Sequence, residues 1–170
     1  MDTGTAAERA GFGTPRPLYT PAQRKRRDES AWTVVQGILA PVQFLIFGVS
    51  LFLVLRFLFS GEGETAAVIS ILLKTAALYA IMITGSIWEK VVFDEWLFAE
   101  SFFWEDVFSM AVLALHTAYL VMLLGGLGTP RQQMYVALAA YATYLVNAAQ
   151  FLWKLRVARV QSDRQLAMAA

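Results

Sequence analysis

The sequence predicts an all-α polytopic membrane protein. Four transmembrane helices are expected as two antiparallel hairpins, with both termini cytoplasmic. Three observations predict this. First, 58% of the 170 residues are hydrophobic and only 16% are charged, whereas soluble chains run nearer a quarter charged. Second, four windows exclude charge. Trp32 to Leu55 and Gln132 to Trp153 carry none, Thr65 to Trp88 carries only Lys74, and Val107 to Pro130 carries none apart from a charge that His116 can take up. Each window exceeds the roughly 20 residues needed to cross a hydrocarbon core of about 30 Å. Third, basic residues collect at the chain ends: Arg9, Arg16, Arg24, Lys25, Arg26 and Arg27 before the first span, and Lys154, Arg156, Arg159 and Arg164 after the last. The positive-inside rule places both groups in the cytoplasm.

The elements follow in order. Residues 1–30 form a polar, basic cytoplasmic tail, expected to be disordered before Pro15 because it has little apolar surface to offset ordering entropy. RKRRDES (24–30) suits a topology anchor beside anionic lipid. It lacks the aromatic interleaving of a nucleic-acid site, and no nucleic-acid partner is expected. No cleavable signal peptide is expected, since the basic run leads into a full-length span. The spans fall near 32–57, 66–88, 105–127 and 132–155, within a transmembrane domain at 31–157, and 158–170 is a cytoplasmic tail. The connections SGEGET (60–65) and GGLGTPR (125–131) are short and rich in turn residues, as tight helix–helix links require.

The connection between the second and third spans differs. EKVVFDEWLFAESFFWED (89–106) has one base, Lys90, against six acids. It is too charged to span and too apolar to sit free in water, so it reads as an interfacial segment. Trp32, Trp88, Trp96, Trp104 and Trp153 all map to this side of the membrane. They suit interfacial anchoring, or an aromatic wall for a flat apolar ligand.

Polar groups within the spans are costly in hydrocarbon and should face one another. On the third span, Glu105 and His116 lie eleven residues apart, about three turns and about 16 Å, with Ser109 between them on nearly the same stripe. Asp106 is about a quarter-turn from Glu105. Tyr144, Asn147 and Gln150 share a face of the fourth span. Gln36 and Gln43 align on the first, with Pro41 between them as an expected kink. Lys74 either snorkels outward or finds a partner. These groups can serve as a polar seam that holds the helices together. They can equally line a chamber that binds a lipophilic ligand or transfers protons to it. A transporter or quinone-binding subunit fits less well, because the third span has no charged or amide group beyond His116. The chain has no cysteine, which excludes disulfide, thiolate and iron–sulfur chemistry. Metal-ligand spacings and Gly-rich phosphate loops are absent from the sequence.

PLYTPAQRKRRDESAWTVVQGILAPVQFLIF (17–47), MITGSIWEKVVFDEWLFAESFFWEDVFSMAVLALHTAYL (82–120) and YATYLVNAAQFLWKLR (141–156) resemble the 2-vinyl bacteriochlorophyllide hydratase family, also called chlorophyllide 3-vinyl hydratases. The resemblance covers about residues 17 to 157. It implies addition of water to the C3 vinyl group of chlorophyllide a or a bacteriochlorophyllide, giving a 1-hydroxyethyl group, within bacteriochlorophyll synthesis. The implied location is the inner or intracytoplasmic photosynthetic membrane of a bacterium. The reaction is redox-neutral, so no cofactor is expected, and the magnesium belongs to the substrate. Water and the lipid bilayer are its other partners, and contact with neighbouring pathway enzymes is left open. A non-enzymatic pigment-binding or assembly subunit is the alternative.

Adding water to an unactivated alkene requires acid. The candidate proton donor is Glu105, aided by Asp106, since neighbouring carboxyls favour retention of a proton. Glu89 is the alternative donor. His116 suits either the axial position on the substrate magnesium or the acceptance of a proton from the attacking water. Gln36, Gln43, Asn147 and Gln150 are candidates to hold water or ring carbonyls, and Trp88 and Trp104 to stack on the macrocycle.

Overall fold

The computed structural model describes residues 18–169, with side chains described as far as Val160. The expected disorder before Pro15 lies outside the described residues. Five helices follow one another: α1 (Pro21–Glu29), α2 (Ala31–Ser60), α3 (Glu64–Phe93), α4 (Phe103–Leu124) and α5 (Pro130–Ala169). Four of them, α2 to α5, are long and apolar enough to cross a membrane.

The charged run RKRRDES is mostly helical rather than irregular. Thr20 caps α1: its hydroxyl accepts from the Gln23 amide at 3.3 Å, and the Gln23 side chain accepts from the Thr20 amide at 2.9 Å. Pro21 occupies the first turn, where a missing N–H costs nothing. The same Thr-Pro-x-Gln device starts α5. Thr129 donates its amide to Gln132 at 2.8 Å, and the Thr129 hydroxyl accepts from the Gln132 amide. Ser30 ends α1 and caps α2 by accepting from the Trp32 amide at 3.2 Å.

α2 runs unbroken through Pro41. It stops at Gly61, whose φ of 76° only glycine adopts without penalty, and Gly63 at 83° opens α3. α3 extends to Phe93 and α4 begins at Phe103, so the acidic connection contracts to residues 94–102. Asp94 closes α3. Its carboxyl is held below the usual range by a hydrogen bond from Lys90, supported by that lysine's charge. α5 does not stop with the fourth span, and its backbone stays helical to Ala169.

α2 packs extensively along α3, and α4 along α5, while contacts between α2 and α5 and between α3 and α4 are sparser. The main core lies among the four long helices and includes Val54, Ile71, Val112 and Tyr141. A smaller core sits at the end where α3 finishes and α4 begins. There Tyr19, Trp88, Phe93, Phe102 and Phe151 form a ring cluster. Outward apolar residues such as Leu45, Phe52, Leu73 and Ile83 are exposed along the long helices. Lipid tails solvate that surface as well as a protein interior would.

Candidate functional site

Helix termini and a bent loop build the acidic site. Glu89 lies one turn before the end of α3, and Glu105 and Asp106 lie in the first turn of α4. All three are buried. Acids in the first turn of a helix face the positive end of its dipole. The loop between the helices carries Phe98 at a φ of 62°, a left-handed conformation that is strained for an aromatic residue. In that conformation successive amides are donated into the acid cluster. The Phe98 N–H bonds Asp106 Oδ2 at 2.8 Å, and the Ala99 N–H bonds Glu89 Oε2 at 3.4 Å. Such paired amides form a nest for negative charge.

The carboxyls are not paired as sequence neighbours. Glu89 and Asp106 approach one another across α3 and α4, close enough to act on each other electrostatically. Two carboxyls brought together away from water favour keeping a proton on one of them. Glu105 turns instead toward α5 and accepts from Lys154 Nζ at 2.5 Å. Lys154 also donates to the Ser101 carbonyl and lies 4.9 Å from the centre of the Phe102 ring. The Ser101 hydroxyl in turn bonds the Leu18 carbonyl at 2.9 Å. Lys154 therefore ties α5, the loop and α4 together, and Ser101 adds the segment that precedes α1. Its charge was legible in the sequence as a topology signal, but its partner was not.

A second polar group lies deeper in the bundle. His116 is 1% exposed. Its Nδ1 sits 2.8 Å from the Val112 carbonyl, which makes Nδ1 the protonated nitrogen and leaves a lone pair on Nε2. Nε2 has no hydrogen-bond partner. The Tyr141 ring lies beside the imidazole, with centroids 5.9 Å apart. The Ser50 hydroxyl links the Tyr141 hydroxyl at 2.5 Å to Ser70 at 2.7 Å. Lys74 turns inward and is 0% exposed, with Nζ 3.8 Å from the centre of the Tyr144 ring. The choice left open between snorkelling and an inward partner is thus resolved toward the inside of the bundle.

The expected binding residues divide. Gln36 donates to the Thr84 hydroxyl at 2.7 Å and joins α2 to α3. Asn147 donates to Ser109 at 2.8 Å while its Oδ1 stays unpartnered, as do Gln43 Nε2 and Gln150 Oε1. The five tryptophans do not share one wall. Trp88 packs in the ring cluster and donates to the Thr33 hydroxyl at 2.9 Å. Trp96, Trp104 and Trp153 are 61%, 66% and 72% exposed. The inner surface at this end is built mainly of Tyr19 and phenylalanines.

Residues 19–157 match the family model described as 2-vinyl bacteriochlorophyllide hydratase (BCHF). The chain is 66% identical over 145 residues to the 2-vinyl bacteriochlorophyllide hydratase of Rhodobacter capsulatus, covering 85% of this chain and 84% of that one. It is 63% identical over 149 residues to the protein of the same name from Cereibacter sphaeroides, covering 87% and 92%. No solved structure matches it. With most of its length aligned at this identity, the chain belongs to the 2-vinyl bacteriochlorophyllide hydratase family.

Proposed function

We propose that the buried Glu89–Asp106 pair is the acid with which this protein hydrates the C3 vinyl group of chlorophyllide a or a bacteriochlorophyllide. The protein is a redox-neutral hydratase of bacteriochlorophyll synthesis, as its family membership supports. The convergence of two buried carboxyls from different helices beneath the Phe98 and Ala99 amides is the observation that carries the assignment.

The pair gives its proton to the terminal vinyl carbon. The alkene π electrons form the new C–H bond and leave a cation on the carbon attached to the macrocycle, where conjugation spreads it. Water adds its oxygen at that carbon. One of its protons returns to the carboxylate pair, so the product differs from the substrate by one water. Between the two transfers the pair carries an additional negative charge. The Phe98 and Ala99 amides already point at it and stabilise it without reorganisation. Glu105, originally the first candidate for the acid, is held by Lys154 and suits a role in positioning the loop.

His116 presents an unprotonated, unpartnered Nε2 and suits the axial position on the substrate magnesium. A metal-ligating histidine commonly donates its other nitrogen to a backbone carbonyl, as here. Asn147 Oδ1 and Gln150 Oε1 are free to accept from water, and Gln43 Nε2 to donate to water or a ring carbonyl. Addition of water changes no oxidation state, so the reaction needs no electron carrier.

The four long helices cross the membrane as two antiparallel hairpins. Lys154 and the basic α1 lie at the end with the acid pair, so both termini and the acid pair belong on the cytoplasmic side. The membrane is the bacterial inner or intracytoplasmic photosynthetic membrane. Membranes containing the protein, incubated with chlorophyllide a, should yield a product heavier by one water, with absorption shifted by loss of vinyl conjugation. Unchanged substrate would overturn the reaction. Glu89→Gln and Asp106→Asn should bind pigment without turning it over, and full activity in both would overturn the acid assignment.

A further inference from the structure

The deep polar group contains a lysine that none of the described acids pairs with. Lys74 lies fifteen residues before Glu89 on α3, about 22 Å along the helix axis. Its Nζ is buried and has no hydrogen-bond acceptor. The Tyr144 face satisfies one side of an ammonium. The three buried acids among the described residues are all at the far end and engaged there, Glu105 with Lys154 and Glu89 with Asp106. Two further buried groups of the bundle also lack partners, His116 Nε2 and the Tyr119 hydroxyl, one turn apart on α4. Lys74 is close enough to His116 to act on it electrostatically.

These three groups form an unusual set in an apolar bundle: an amine, a hydroxyl donor and a lone-pair nitrogen, all buried and all unpartnered among the described residues. Buried polar groups are ordinarily satisfied, and an isolated buried charge calls for a counter-charge. The hydratase reading, on which this inference rests, supplies one. A chlorophyllide differs from a chlorophyll in that its propionate side chain is a free carboxylate rather than an ester. It carries magnesium for a lone-pair nitrogen and an anion for an ammonium.

We propose that Lys74 binds the free propionate carboxylate of the pigment, with the Tyr119 hydroxyl donating to its second oxygen, so that the enzyme selects unesterified substrate. An ester in the same place would leave the ammonium buried without a counter-charge. Discrimination then comes from the penalty on the wrong ligand as much as from attraction to the right one.

The test compares chlorophyllide a with its propionate methyl ester in membranes bearing wild-type protein, Lys74→Met or Lys74→Arg. Both turnover and pigment binding by absorbance are read. The wild type should bind the acid about tenfold or more tightly than the ester. Lys74→Met should lose that preference by weakening the acid alone, and Lys74→Arg should keep most of it. Equal wild-type affinities for acid and ester would overturn the proposal even if Lys74→Met failed to fold. A folded Lys74→Met with the wild-type preference would overturn it as well. Product formed equally from acid and ester, and unaffected by Lys74→Met, leaves the hydratase reading intact and removes the carboxylate site. A Lys74-dependent preference in binding, with no hydrated product from either pigment, keeps the site and removes the reaction.

Discussion

The acidic cluster and the deep polar group contrast in how completely they are satisfied. At the end where α3 meets α4, Glu105 has Lys154, Glu89 has Asp106, and two loop amides complete the set. In the middle of the bundle, Ser50, Ser70 and Tyr141 satisfy one another, but Lys74, His116 and Tyr119 keep unpartnered atoms. The first region is organised before any ligand arrives. The second keeps polar atoms that the described residues leave unsatisfied. A hydratase needs both kinds of site: a preorganised acid that does not relax during reaction, and open polar positions that recognise the substrate.

The contrast can be broken first at the acid. Glu89→Gln or Asp106→Asn should lower turnover by about 10²- to 10⁴-fold, the usual worth of a general acid, with pigment affinity little changed. Steady-state rates and absorbance titrations on the same membranes check both halves. Glu105→Gln should cost far less activity, and a larger loss than for Glu89→Gln would return the acid role to Glu105.

Next comes the clamp. Lys154→Met leaves a buried carboxylate without its ammonium and should destabilise the protein by about 1–3 kcal/mol, a buried-pair cost discounted for the partly exposed lysine. Thermal unfolding in detergent reads it. The double variant Glu105→Gln with Lys154→Met should recover much of that loss, because no unpaired charge remains.

At the deep site, deletion should affect recognition before stability. His116→Phe removes the proposed magnesium ligand and should weaken pigment binding about tenfold, with loss of the absorbance change that accompanies axial ligation. A melting temperature near wild type should go with it, since the one bond lost, from Nδ1 to the Val112 carbonyl, is local to α4 and Nε2 has none to lose.

The smallest effect concerns the loop. Phe98→Gly keeps the amide that bonds Asp106 and removes the left-handed strain of an aromatic residue, worth about 1 kcal/mol. Loss of the Phe98–Phe103 ring contact at 5.8 Å offsets part of this gain. Turnover near wild type, with stability unchanged or slightly raised, would show that the amide rather than the ring serves the site.

Much of the architecture was legible in the linear chain because hydrocarbon is a demanding solvent. Four charge-free windows of sufficient length have few alternatives to spanning, and the polar residues within them must turn inward. That reasoning identified the four long helices, and it singled out Glu89, Glu105, Asp106 and His116 as residues to watch. The ends of the helices were less legible. The acidic stretch 89–106 reads as one interfacial segment, yet α3 and α4 each take part of it. The Thr-Pro-x-Gln caps at residues 20 and 129 are local and were there to be read.

Pairing was another matter. Adjacency in the chain brings Glu105 and Asp106 to mind together, but neighbouring positions on a helix point about 100° apart. Which acid meets which partner depends on where α3, α5 and the 94–102 loop lie in space. Composition, span length and the inward demand on polar groups thus follow from the sequence, because they are set residue by residue against the solvent. The Glu89–Asp106 contact, the Lys154 clamp and the unfilled Lys74–His116–Tyr119 group were decided only by tertiary structure, because each joins side chains from helices whose relative placement no local pattern encodes.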